Sequence, residues 1–73
     1  VTYFEMMEAV RTARNNWTIA CDNSREAFQA WRDADNTNSP NADKKYRVWR
    51  EYCDAEEKAY LHVRSLLNQE VTP

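Results

Sequence analysis

The chain has 73 residues, twelve acids against ten Lys and Arg, a net charge of −2, no glycine and two prolines. A single domain of this length buries a core that is only marginally stabilising, and the charge gives no general attraction to polyanions. With no Asn-Gly or Asp-Gly pair, tight β-hairpins lack their turns, and apolar runs of three or four residues fall far short of the roughly 20 that a membrane span needs. The composition therefore predicts an all-α protein, one helical domain over residues 1–73. No charged and then apolar leader opens the sequence, so a cytoplasmic setting is expected.

Thr2 followed by Glu5 forms a capping-box pattern, in which the hydroxyl accepts from the Glu5 N–H and the carboxylate reaches back to the Thr2 N–H. Val1 and Met6 stand where a hydrophobic staple sits. From there one heptad position holds Tyr3, Val10, Trp17, Ser24 and Trp31, and the other holds Met6, Ala13, Ala20, Ala27 and Ala34. Alternating rings and alanines allow a neighbouring helix to come close. Ser24 is the polar intruder, and its hydroxyl is expected to bond back to its own helix. This first helix is predicted over about 3–35.

Asp35-Asn36-Thr37-Asn38-Ser39-Pro40 is the break. Asn36 or Asn38 takes the left-handed conformation that glycine usually supplies at a helix end. Ser39 and Pro40 then read as N-cap and first helical residue of a second helix, predicted over about 40–69, with Val71-Thr72-Pro73 as a frayed tail. So short a turn makes the helices antiparallel. A turn centred near residues 38 and 39 opposes residues whose numbers sum to about 77, which pairs Phe28 with Trp49, Trp31 with Tyr46, Trp17 with Tyr60 and Val10 with Leu67.

The two halves repeat each other. Trp17-x3-Cys21-Asp22-x4-Ala27-Phe28 returns 32 residues later as Trp49-x3-Cys53-Asp54-x4-Ala59-Tyr60. Such an offset places a pseudo-twofold axis near the cysteines. The second helix also has more apolar surface than one neighbour covers. Tyr46, Trp49, Cys53, Tyr60, Val63 and Leu67 form the stripe toward the first helix. Val48, Tyr52, Ala55, Ala59 and Leu66 form another, about 100° around the helix. The first helix leaves Phe4 and Ile19 on its far side. The second stripe is the candidate partner-binding surface, and dimerisation to a four-helix bundle is the expected way to cover it.

Cys21 and Cys53 fall within about one turn of each other in this register, either as one disulfide between the helices or as a pair of buried thiols. In a reducing cytosol free thiols are expected. Each helix carries one cysteine, which excludes the paired CX9C pattern of twin-cysteine hairpins. His62 is the sole histidine, and no zinc-type spacing occurs, so neither metal nor other cofactor is expected. Glu56 lies among Trp49, Cys53, Tyr60 and Val63, where a buried carboxylate would need Arg14, Arg25 or Ser24 as its partner. The plainer expectation is that it sits at the seam's edge and reaches water. No nucleophile–base pair or second matched acid accompanies it, so catalysis is not expected.

Arg11 with Arg14, and Lys44, Lys45, Arg47 and Arg50, are the basic clusters. Asp33, Asp35, Asp43 and Glu51 dilute the second of them, which disfavours a nucleic-acid partner. The functional expectation is a small non-enzymatic module that binds another protein or a second copy of itself by helix docking, as a regulatory adaptor or an inhibitor of the kind phages encode. No membrane or small-molecule substrate is expected. The competing expectation is a nucleic-acid-binding regulator that uses the Arg and Lys clusters.

Overall fold

The computed structural model describes residues 1–69, and two antiparallel helices account for most of them: α1, Tyr3–Asn36, and α2, Ala42–Leu67. The predicted tail at 71–73 lies outside the described residues. The hairpin is a rod of 58 × 13 × 11 Å between its Cα extremes, as expected when a 34-residue helix rises 1.5 Å per residue beside a shorter one.

Thr2 caps α1 through its hydroxyl, which accepts from the Glu5 N–H at 3.2 Å. The reciprocal half of the box differs from the expectation. The Glu5 carboxylate accepts from the Thr2 hydroxyl itself, at 2.9 Å, so one side-chain oxygen serves as acceptor and donor at once. At the other end the chain closes in a Schellman turn. The Ser39 N–H donates to the Ala34 carbonyl at 2.8 Å and the Asn38 N–H to the Asp35 carbonyl at 3.1 Å, with Asn38 left-handed at φ 53°. Of the two candidate asparagines, Asn38 replaces the missing glycine. Thr37 adds its hydroxyl to the Asp33 and Ala34 carbonyls.

The second helix starts later than the sequence suggests. Ser39 does accept the Asn41 N–H through its hydroxyl, as a cap would. Its carbonyl, however, takes the Ala42 N–H in a tight three-residue step, and the first α-helical bond is Lys45 N–H to Asn41 carbonyl. Pro40 and Asn41 thus belong to the turn. The far end of α2 closes at Leu67, where the Asn68 N–H reaches the Arg64 and Ser65 carbonyls.

The register of the hairpin is the predicted one. Trp17 meets Tyr60 with ring centroids 5.2 Å apart, Phe28 meets Trp49 at 5.2 Å and Trp31 meets Tyr46 at 5.4 Å. Val10 is buried, but its expected partner Leu67 is exposed at the last turn of α2. The interior is made of small residues: Val10, Ala13, Ala27, Ala34 and Val63, with Ser24 as the buried polar group. No large side chain among the described residues is fully enclosed. Two helices leave the larger seam residues Trp17, Phe28, Trp31 and Trp49 partly open to solvent, and the ridge of alanines on α1 lets α2 sit close.

Candidate interaction faces of the hairpin

Seam contacts divide the rod into two unlike long faces. On one side Phe28, Trp31, Tyr46 and Trp49 form a continuous cluster with centroids 5.2–5.7 Å apart. At its centre Trp31 and Trp49 stack in parallel, 3° from coplanar at 5.3 Å, and the other rings meet them edge-on or tilted, as ring quadrupoles favour. Trp17 and Tyr60 continue this side toward the open end, with the Arg64 guanidinium 6.0 Å above the Tyr60 ring.

Between the two aromatic groups lies a polar layer. The Cys21 thiol donates to the Glu56 carboxylate at 3.3 Å, and Ser24 Oγ and Cys53 Sγ share a hydrogen bond at 3.7 Å. Glu56 is half-buried, and its partner is a thiol instead of Arg14, Arg25 or Ser24. Ser24 likewise bonds across the seam, not back into its own helix. Both cysteines are half-buried and unbridged. The register explains why: Cys21 opposes Glu56 and Cys53 opposes Ser24, so the two sulfurs are offset by a helical turn. Burial first, then the Glu56 carboxylate that bonds it and faces it, and then Asp22 push the Cys21 thiol pKa above its ordinary value, with Arg25 pulling weakly the other way. That keeps Cys21 protonated as a donor and makes it a poor nucleophile.

The opposite side is lined by alanine. Ala27 and Ala30 of α1 and Asn41, Lys44, Lys45 and Val48 of α2 enclose a shallow groove of about 330 Å³. The predicted partner-binding residues run along this side from the groove, because Tyr52, Ala59 and Leu66 repeat the heptad position of Lys45, and Ala55 repeats that of Val48. Val48 and Tyr52 are 39% and 40% exposed and Ala55 is exposed, as a free surface requires. Ala59 and Leu66 are half-buried, so these two belong partly to the hairpin's own seam. Lys45 is also half-buried, and among the described residues every other Lys and Arg is exposed. Lys45 lines the groove together with Ala27 and Ala30, a position that suits a long aliphatic stem with a charged tip. Ala27 is buried in the core, as the sequence places it, and also forms part of the groove's α1 wall. Ala30, half-buried beside it, is the groove residue that sequence reasoning passed over, and its small volume one turn from Ala27 and Ala34 was the available signal.

Phe4 and Ile19, expected on the far side of α1, are 70% and 58% exposed. His62 is exposed and stands two heptads beyond Val48. No group of three or more His, Cys, Asp or Glu side chains gathers into a metal-binding arrangement among the described residues, and no helix among them is long and apolar enough to cross a membrane. No family model, curated protein or solved structure matches the chain.

Proposed function

We propose that the hairpin is a protein-interaction module that docks a helix, from a second copy of itself or from another protein, along the alanine side. The observation that carries this reading is the groove between Ala27, Ala30 and Val48, continued by exposed Tyr52 and Ala55. Small side chains let a third helix approach at close range, and Tyr52 supplies ring area with a hydroxyl for the rim. A fourth helix from a second hairpin completes a bundle, which supplies the enclosed core that two helices lack. The module acts without catalysis, by occupying its partner's surface as an adaptor or inhibitor. Two unbridged thiols suit a reducing, cytoplasmic setting.

Sedimentation equilibrium at about 10 μM, combined with a photo-crosslinking residue at Val48, tests the proposal. The parent is expected to form a dimer or to crosslink a helix of a partner. Ala30→Arg and Val48→Asp are expected to abolish that association while circular dichroism stays helical. A parent that is monomeric and captures no helix at Val48 removes the reading.

A further inference from the structure

The fold sorts the cations of this chain by type. Cys21, Phe28, Tyr46 and Tyr60 all reach across the seam on the aromatic side. Arg25, Arg32, Arg50 and Arg64 each stand four residues beyond one of them, one turn along the same face. Arg14 occupies the heptad position of Cys21 and shares a hollow with Arg11, Met7 and Val10. Of the seven arginines only Arg47 lies elsewhere. The three lysines follow the opposite rule: Lys44 and Lys45 line the alanine groove, and Lys58 repeats the position of Lys44 two heptads on.

The aromatic face thus carries six arginines, all exposed. Of these six, Arg25 is ion-paired with Asp22 at 3.9 Å among the described residues. Asp35, Asp43 and Glu57 share the face by helical position, while Glu56 is withdrawn into the seam on Cys21. Register places the arginines in two groups. Arg11, Arg14 and Arg64 stand toward the end with Trp17 and Tyr60, where the Arg64 guanidinium lies over the Tyr60 ring. Arg25, Arg32 and Arg50 stand along the length of the four-ring cluster. The two groups extend over about 30 Å along α1 at 1.5 Å per residue.

We infer that this arginine–aromatic face binds single-stranded nucleic acid. Guanidiniums take phosphates in bidentate fashion and also stack, which an ammonium does not do. Tyr46 and Tyr60, 42% and 39% exposed, offer ring surface to unpaired bases between the phosphate contacts. A duplex keeps its base faces stacked inside and gives these rings nothing to bind, and an acidic peptide satisfies the charges without using the rings. The face is separate from the alanine side, so the inference stands or falls independently of helix docking.

Titration of the whole chain with an oligothymidylate of about 15 nucleotides, followed by intrinsic tryptophan fluorescence, tests it. Saturable quenching is expected, with log K falling against log salt by about 0.7 for each arginine engaged. The triple change Arg25→Gln, Arg32→Gln, Arg50→Gln is expected to weaken binding on the order of 10–100-fold at low salt and to flatten that slope by about 2. A charge-matched control, Lys44→Gln, Lys45→Gln, Lys58→Gln, is expected to leave both unchanged. Arg→Lys at the same three arginines keeps the net charge and should weaken binding while retaining the salt slope. Equal losses in the arginine and lysine triples would reduce the effect to net charge and overturn the inference. So would absence of binding by the parent at about 100 μM, or polyglutamate binding as tightly as the oligonucleotide, which would assign the face to an acidic protein.

Discussion

Cys21 and Glu56 face each other across the middle of the hairpin, with the thiol donating to the carboxylate over 3.3 Å. The pseudo-twofold relation of the sequence repeat carries this pair onto Cys53 and Ser24, which meet at 3.7 Å. It also carries Trp17–Tyr60 onto Trp49–Phe28, both at 5.2 Å. The repeat is therefore a repeat of contacts, and it departs from symmetry where one copy has a carboxylate and the other a serine.

A half-buried carboxylate held by one weak donor is poorly compensated. Cys21→Ala should destabilise the hairpin by about 1 kcal/mol, because Glu56 loses that donor. Glu56→Met should leave stability unchanged or raise it by up to about 1 kcal/mol, since the thiol packs equally well against a thioether. Urea unfolding of the two variants beside the parent checks both signs.

The raised Cys21 pKa links this pair to pH. A group that holds its proton more tightly when folded gives its full stabilisation below its unfolded-state pKa, near the ordinary 9.0. That contribution is lost as pH rises through the higher folded-state value. The stability difference between parent and Cys21→Ala should therefore be constant from pH 6 to about 8 and shrink above about 9. Alkylation of Cys21 at pH 8 should also be slower in the folded chain than in urea.

The stacked Trp31–Trp49 pair holds the turn end together. Trp49→Ala should cost about 2–4 kcal/mol, somewhat below the full core value because the ring is half-buried. In so small a fold that is enough to populate the unfolded state. Trp49→Phe should keep most of the stability and lose the near-ultraviolet dichroism of the tryptophan pair.

Asn38 sets the turn through its positive φ. Asn38→Gly should be neutral or stabilising by up to about 1 kcal/mol, whereas Asn38→Val should cost about 1–2 kcal/mol by forcing a β-branched residue into the left-handed region. Thermal melting of both variants reads the difference.

Ala55→Arg and Ala59→Arg separate surface from seam. Ala55 is exposed and Ala59 half-buried, so the first should leave the melting temperature within about 2 °C of the parent, and the second should lower it by overpacking. Association along the alanine side is expected to be lost in both.

The pairing of rings was legible because it depends on counting: once Asn38 fixes the turn, antiparallel geometry opposes Phe28 to Trp49 without further information. Which flank of the seam each residue takes was less legible. Ala59 and Leu66 read as outer surface, but they stand four residues before and three after Val63, next to the seam position it occupies, and are half-buried. The partner of Glu56 escaped because charge was weighed above register, which points to Cys21. The arginine face escaped for a related reason. Lys44, Lys45, Arg47 and Arg50 are neighbours in sequence, yet helical geometry distributes them around α2, while Arg25, Arg32 and Arg50 converge from far apart.

The uneven distribution of rings has a mechanical consequence. Rotation about the pseudo-twofold axis takes the Trp31–Tyr46 contact to Val63 and Arg14, so the end with the turn is clamped by four aromatic rings and the open end by Val10 and Val63. Tension applied to the free ends meets the weak contacts first and separates them one layer at a time, in the manner of a zipper, instead of shearing the seam at once. Amide hydrogen exchange should record the same gradient, fastest toward Tyr3 and Leu67 and slowest around Trp31 and Trp49. Refolding should begin at the turn, where the ring contacts close the shortest loops.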